Sequence, residues 1–177
     1  MIKGRHRLGA TDVHYPGTGG ARAALVVAED RRFERIVAEH VRWLDDAAAY
    51  QPGSFATREL PAITELLEHV EALDLMVIDG YVDLDPDGRP GLGARLHERI
   101  GIPVIGVAKS TFRTATHAIA VRRANVVRPL YVTAAGITVD AAAQLVVGMA
   151  GPYRIPDALR RVDALARGRE QPLPGAG

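Results

Sequence analysis

At 177 residues, 47% of them hydrophobic, the chain is sized for one domain with a substantial apolar core. A net charge of +1 carries no overall bias toward polyanions, and the absence of cysteine excludes disulfides, thiolate metal sites and a cysteine nucleophile. Any metal must therefore take oxygen or imidazole ligands, which favours magnesium or manganese.

In chain order, residues 8–15 are predicted as a strand carrying Asp12. A second strand follows through Ala24–Ala28, beyond the flexible Pro16-Gly17-Thr18-Gly19-Gly20. The stretch Ile36–Trp43 fits helical and strand periods alike and is taken as a third antiparallel strand. Leu60-Pro61 is read as the opening of an amphipathic helix carrying Ile63, Leu66, Leu67, Val70 and Leu73, with Glu59 at its start.

The run Leu75–Ile78 ends at Asp79-Gly80, the pattern of a buried central strand that stops at a functional edge. A helix over Leu92–Ile100 leads to a strand at Pro103–Ala108 that ends at Lys109. Further strands are expected near Ala118–Arg122 and Leu130–Thr133, and helices over Val139–Met149 and Asp157–Ala166. The fold class is thus α/β, a mixed central sheet with three antiparallel N-terminal strands, flanked by helices. Residues 1–168 are expected to form one domain and 169–177 a disordered tail. No apolar run approaches the roughly 18 residues of a membrane span, and the first residues lead into no signal-like core, so a cytoplasmic location is expected.

Asp12 and Asp79 each lie at a strand end, and Glu59 begins a helix. If the strands are neighbours, the three carboxylates meet at one sheet edge and repel, and a hard divalent cation keeps them ionised together. Taken alone, the pattern favours separate surface carboxylates, with Glu59 merely suiting a helix N-terminus. Lys109 stands out because it and Lys3 are the only lysines among 22 Lys and Arg residues.

The surrounding stretches narrow the choice. Tyr50-Gln51-Pro52-Gly53, continuing through Phe55 to Arg58-Glu59, resembles the tyrosine–X–Pro–Gly wedge and Arg-Glu of the endonuclease V family, with the same spacing. Asp12-Val13-His14-Tyr15, Val77-Ile78-Asp79-Gly80 and Ile105-Gly106-Val107-Ala108-Lys109-Ser110 resemble three more of its segments. Arg128-Pro129-Leu130-Tyr131-Val132 and Tyr153-Arg154-Ile155-Pro156 resemble two others, all in the family's order.

The resemblance implies a ribonuclease H-like fold and a metal-dependent endonuclease that cuts 3′ to a deaminated base, typically inosine, in DNA or RNA. It implies magnesium, with manganese possible, bound by Asp12, Asp79 and Glu59, and Lys109 at the phosphate. Tyr50, Gln51 and Pro52 would wedge the strands apart, and Gly53, Phe55 and Gly80 would line the base pocket. Arg113, Arg122, Arg123 and Arg128 are weaker candidates for phosphate contacts. The oligomeric state is left open, with a monomer favoured.

Two departures stand out. The family's Ser-Pro-Gly-His stretch, whose histidine lies close to the metal, corresponds to Thr133-Ala134-Ala135-Gly136-Ile137-Thr138, where no histidine stands and Asp140 is the nearest acidic substitute. The family's Asp-Gly-His-Gly becomes Asp79-Gly80-Tyr81-Val82. The alternative to an active enzyme is therefore a catalytically weakened, nucleic-acid-binding relative.

Overall fold

The structure is a computed structural model that describes residues 5–45 and 55–174, with only the backbone described over residues 55–58. The strands are β1 (Leu8–His14), β2 (Ala21–Ala28), β3 (Ile36–Leu44), β4 (Leu75–Asp79), β5 (Val104–Ala108), β6 (Ile119–Val121) and β7 (Leu130–Ala135). Among the described residues the helices are α1 (Phe55–Leu67), α2 (Leu92–Ile100), α3 (Val139–Gly148) and α4 (Asp157–Ala166). The strands form one mixed sheet in the order β3-β2-β1-β4-β5-β7-β6.

The chain builds this sheet in two stages. β1, β2 and β3 form an antiparallel meander, with Asp12 opposite Ala24 and Leu25 opposite His40. The ambiguous stretch from Ile36 is therefore a strand, as expected from its alternation. β4 and β5 then add in parallel to β1, with Ala10 beside Val77 and Val77 beside Ile105. Parallel neighbours need a crossover, and α2 supplies the one between β4 and β5. The central strands are covered on both faces, which is why β4 and β5 read as unbroken apolar runs.

Two cores result. Leu8, Ala10, Val26, Val77, Ile105 and Val107 pack with α3 and α4 on one face. Leu25, Val27, Met76, Ile78 and Val104 pack with α1 and α2 on the other. α2 ends as the sequence suggests, with Gly101 in the left-handed region at φ 71° and its N–H donating to the His97 carbonyl.

The helix expected to open at Leu60-Pro61 begins at Phe55, so Pro61 is interior and Glu59 lies within the helix rather than at its start. The N-terminal proline rule misplaced this boundary. The Thr64 hydroxyl bonds the carbonyls of Leu60 (2.9 Å) and Pro61 (3.0 Å), lending the proline-containing turn side-chain hydrogen bonds.

Part of the stretch expected to be disordered is held against the body. The Leu173 N–H donates to Glu39 Oε2 (2.8 Å), and Arg161 donates to the Gln171 carbonyl (3.0 Å). Glu170 also pairs with Arg161.

The loop after Asp79 fits tightly over β5. A Cβ on Gly106 would stand 2.5 Å from the Gly80 carbonyl oxygen, 2.6 Å from Thr133 Oγ1 and 2.9 Å from the Val82 nitrogen. It would wedge open the hydrogen bond in which the Val82 N–H donates to Thr133 Oγ1 (2.8 Å). Gly106→Ala is expected to cost about 1–3 kcal/mol, as overpacking against backbone does. Urea unfolding measures this, and an unchanged midpoint would show that the loop gives way freely.

Candidate active site

The site lies where β1, β4 and β5 end together. Asp12 is near the end of β1, Asp79 closes β4 and Lys109 follows β5. Side-chain alternation places all three on one face, because Asp12 continues the row of Leu8 and Ala10, Asp79 that of Leu75 and Val77, and Lys109 that of Ile105 and Val107. That face carries α4. Glu59 approaches the same edge from α1 and is 6% exposed.

A cavity of about 620 Å³ opens there, lined by Asp12, Glu59, Asp79, Lys109, Gly80, Tyr81 and Phe112. Asp163 and Arg167 of the α4 end also line it, as do His14 and Tyr15. The three carboxylates singled out in the sequence thus face a single space. Tyr50, Gln51, Pro52 and Gly53 lie outside the described residues, as does the Phe55 side chain.

Lys109 Nζ donates to Asp79 Oδ2 at 2.6 Å. Burial works against the Lys109 charge, yet the hydrogen bond to Asp79 and the charges of Asp79, Asp12 and Asp163 outweigh it and raise its pKa. Asp12 is pushed up to about 7, first by burial and then by the neighbouring charge of Asp79. A positive charge placed beside Asp12 would favour its ionised form.

Asp163 was missed in the sequence. Burial alone would raise its pKa, but hydrogen bonding and charge from Arg167, the charge of Lys109 and a hydrogen bond from Asp12 hold it below the usual carboxylate range. Arg167 Nε donates to Asp163 Oδ1 at 2.8 Å. Asp163 therefore joins Asp12 as a fourth carboxylate of the cavity.

Asp140 does not line this cavity. β7 runs antiparallel to β5, with Tyr131 opposite Ala108 and Ala135 opposite Val104, so the chain after β7 leaves from the opposite sheet edge. Ile137 and Ala141 there line a separate cavity with Leu8, Leu75 and Pro103. From Gly136 onward, the segment that stands in place of the family's histidine stretch lies on that far side.

Gly80 has φ 137°, a conformation that side-chain-bearing residues rarely adopt, and a Cβ there would meet open space. It leaves the cavity clear beside Asp79. Tyr81, standing where the resemblance led to a histidine, donates its hydroxyl to the Ser110 carbonyl (2.8 Å) and accepts from the Phe112 N–H (3.0 Å). The Tyr81 and Phe112 rings sit 6.0 Å apart and make an aromatic wall. Phe112 was missed because a single exposed aromatic in a loop carries no sequence signal. Of the weak phosphate candidates, Arg123 is 5% exposed and engaged with backbone carbonyls, so it is a buried structural group.

The endonuclease V family pattern matches residues 2–164. The chain belongs to the endonuclease V family. Endonuclease V of Streptomyces coelicolor is 31% identical over 186 residues, covering 93% of this chain and 79% of that protein. The crystal structure of endonuclease V from Streptomyces avermitilis superposes with a TM-score of 0.78 at 27% identity, covering 94% of this chain and 82% of that one. Endonuclease V of Ciona intestinalis, solved in complex with a 24mer DNA containing an inosine followed by a ribo-adenosine, has a TM-score of 0.79 at 18% identity and covers 95% and 87%. The fold is ribonuclease H-like, and the chain is an enzyme of the endonuclease V class. Among the described helices, none is long and apolar enough to cross a membrane.

Proposed function

We propose that this endonuclease V hydrolyses the phosphodiester bond 3′ to a deaminated base, inosine in the first place, in DNA or RNA, with magnesium as its metal and manganese as a substitute. The observation that carries the proposal is the common cavity of Asp12, Glu59 and Asp79, with the Lys109 ammonium bonded to Asp79. Support for inosine comes from the Ciona relative's complex with inosine-containing DNA. A cytoplasmic location belongs to the same reading.

The donor set fits a hard divalent cation. Asp12, Glu59, Asp79 and Asp163 offer oxygen ligands at one cavity, and Asp12 is pushed up by its burial first and then by the charge of Asp79. Among the described residues, no group of three or more acidic or histidine side chains is drawn together closely enough to hold a metal as it stands. Instead, Lys109 supplies the positive charge at Asp79. When bound, the cation supplies Lewis-acid stabilisation of charge at the scissile phosphate.

The chain's own groups divide the remaining work. Lys109, a compact donor at the rim, can leave Asp79 for a phosphate oxygen. Arg167 holds Asp163 in place and offsets part of the acidic charge. The Tyr81 and Phe112 rings offer a base a stacking surface, and Gly80 leaves the space beside it open. The wedge formed by Tyr50, Gln51, Pro52 and Gly53, with Phe55 beside it, rests on the family resemblance.

Inosine-containing and matched adenine-containing strands, as DNA and as RNA, provide the test. The expected result is magnesium-dependent cutting of the inosine strands, lost in EDTA. Equal cutting of the adenine strands removes the base specificity, and binding without cutting selects the catalytically weakened relative.

A further inference from the structure

Two of the sequence stretches that carry the family resemblance, Arg128-Pro129 and Tyr153-Arg154-Ile155-Pro156, have no part in the site as described so far. They meet at one side chain. Arg154 Nε donates to the Arg128 carbonyl (3.1 Å), and its Nη2 donates to the carbonyls of Pro129 (2.9 Å) and Lys109 (2.5 Å). One guanidinium thus ties the entry to β7 to the residue that carries the ammonium group of the site.

The Lys109 carbonyl needs such a partner. The ladder between β5 and β7 ends with Ala108 opposite Tyr131, and that between β4 and β5 ends with Asp79 opposite Val107. Lys109 is the first residue beyond both, so neither neighbouring strand fixes its backbone. A charged donor to its carbonyl replaces the missing ladder bond and is stronger than a neutral one.

Arg154 is itself held. The buried Arg123 guanidinium donates to the carbonyls of Met149 (2.5 Å), Gly151 (3.3 Å) and Tyr153 (3.2 Å), all in the segment that presents Arg154. The order is Arg123, the 149–154 segment, Arg154, the Lys109 backbone, and finally Lys109 Nζ on Asp79. This arrangement rests on side chains reaching main-chain carbonyls, which motif spacing alone does not reveal.

We propose that Arg154 is the positioning residue for Lys109, fixing the backbone from which the Lys109 ammonium group reaches Asp79 and the scissile phosphate. The inference rests on the proposed role of Lys109 at the phosphate. Arg154 does not line the cavity and acts through the Lys109 carbonyl that it bonds.

The test is a double-mutant cycle on Lys109→Ala and Arg154→Met, with Arg154→Lys as the conservative variant. The substrate is a single-stranded inosine-containing DNA with magnesium, and Kd for the same strand in EDTA and the melting temperature are read alongside. Arg154→Met is expected to lower kcat by roughly 10–100-fold, as loss of a supporting contact to a site residue does, with little change in Kd, and Arg154→Lys to recover part of it. In the Lys109→Ala background, Arg154→Met should cost less than about threefold further, because the two residues act as one unit.

Multiplicative losses in the double mutant, or an unchanged kcat in Arg154→Met beside a damaged Lys109→Ala, overturn the inference and leave the role of Lys109 intact. An unchanged Lys109→Ala overturns both. Should Arg154→Met lack a cooperative melt, Arg154→Lys carries the same cycle, with the same multiplicative or non-multiplicative outcome deciding it.

Discussion

Asp79→Ala is expected to lower cleavage of an inosine-containing strand by roughly 10²–10³-fold or more, the scale seen when one electrostatic element of a catalytic site is removed. Two losses combine in this variant. The proposed cation loses a ligand at the end of the central strand, and Lys109 loses the carboxylate that its ammonium group meets at 2.6 Å. Strand binding should survive, because phosphate contacts along the backbone supply most non-specific affinity. A second readout follows the metal without turnover. Magnesium at 100 times its Kd stabilises a folded protein by about 2.7 kcal/mol. For a chain of this size that corresponds to a rise in melting temperature of roughly 5–10 °C. Wild-type protein should show the rise and Asp79→Ala a much smaller one. Equal rises in both would remove Asp79 from the metal site, whatever the cleavage assay shows.

The legibility of this site in the sequence follows the range of the forces that build it. Strands β4 and β5 and helix α2 are visible because local periodicity and turn residues decide them, and Asp79 and Lys109 stand out because they terminate apolar runs. The bounds of α1 are not, since proline's preference for a first turn competes with helix already nucleated upstream. Asp163 depends on the docking of α4 against β1 and β2, a tertiary event. A signal for it exists all the same. Leu159, Val162 and Ala166 are buried, and Asp163 stands four residues after the first and three before the last, so a carboxylate occupies the apolar stripe of an amphipathic helix. A charge in that position calls for a partner or a function. The far-edge placement of 136–140 could not be inferred in the same way, because it depends on β7 pairing antiparallel to β5.

Arg161→Leu is expected to cost about 3–5 kcal/mol, the penalty for leaving a buried charge without its partner. Glu39 is 2% exposed in the middle of β3. Arg161 meets it with both arms, Nε to Oε1 at 2.7 Å and Nη2 to Oε2 at 2.8 Å. Removing both charges together, in Glu39→Leu with Arg161→Leu, should restore much of the loss, since an apolar pair needs no compensation. The pH dependence has a definite sign. The Arg161 hydrogen bonds, helped by the Leu173 N–H, hold Glu39 below its ordinary value of 4.5 despite its burial. A carboxyl whose folded pKa is depressed contributes its full stability above the unfolded value and loses it as pH falls through the folded one. The gap between wild type and Arg161→Leu should thus be widest where Glu39 is ionised in both proteins and narrow as pH falls through the acid range, because the buried, unpartnered Glu39 of the variant protonates first. Urea unfolding across that range measures the gap, and a difference that stays constant with pH would show that Arg161 acts by packing rather than by charge. Arg161 and Asp163 share α4, so releasing the Glu39 clamp is expected to loosen the seat of the Asp163 carboxylate, which Arg167 then still holds. Magnesium affinity in the folded Arg161→Leu protein should therefore weaken as well, a shift that calorimetric titration reads independently of stability.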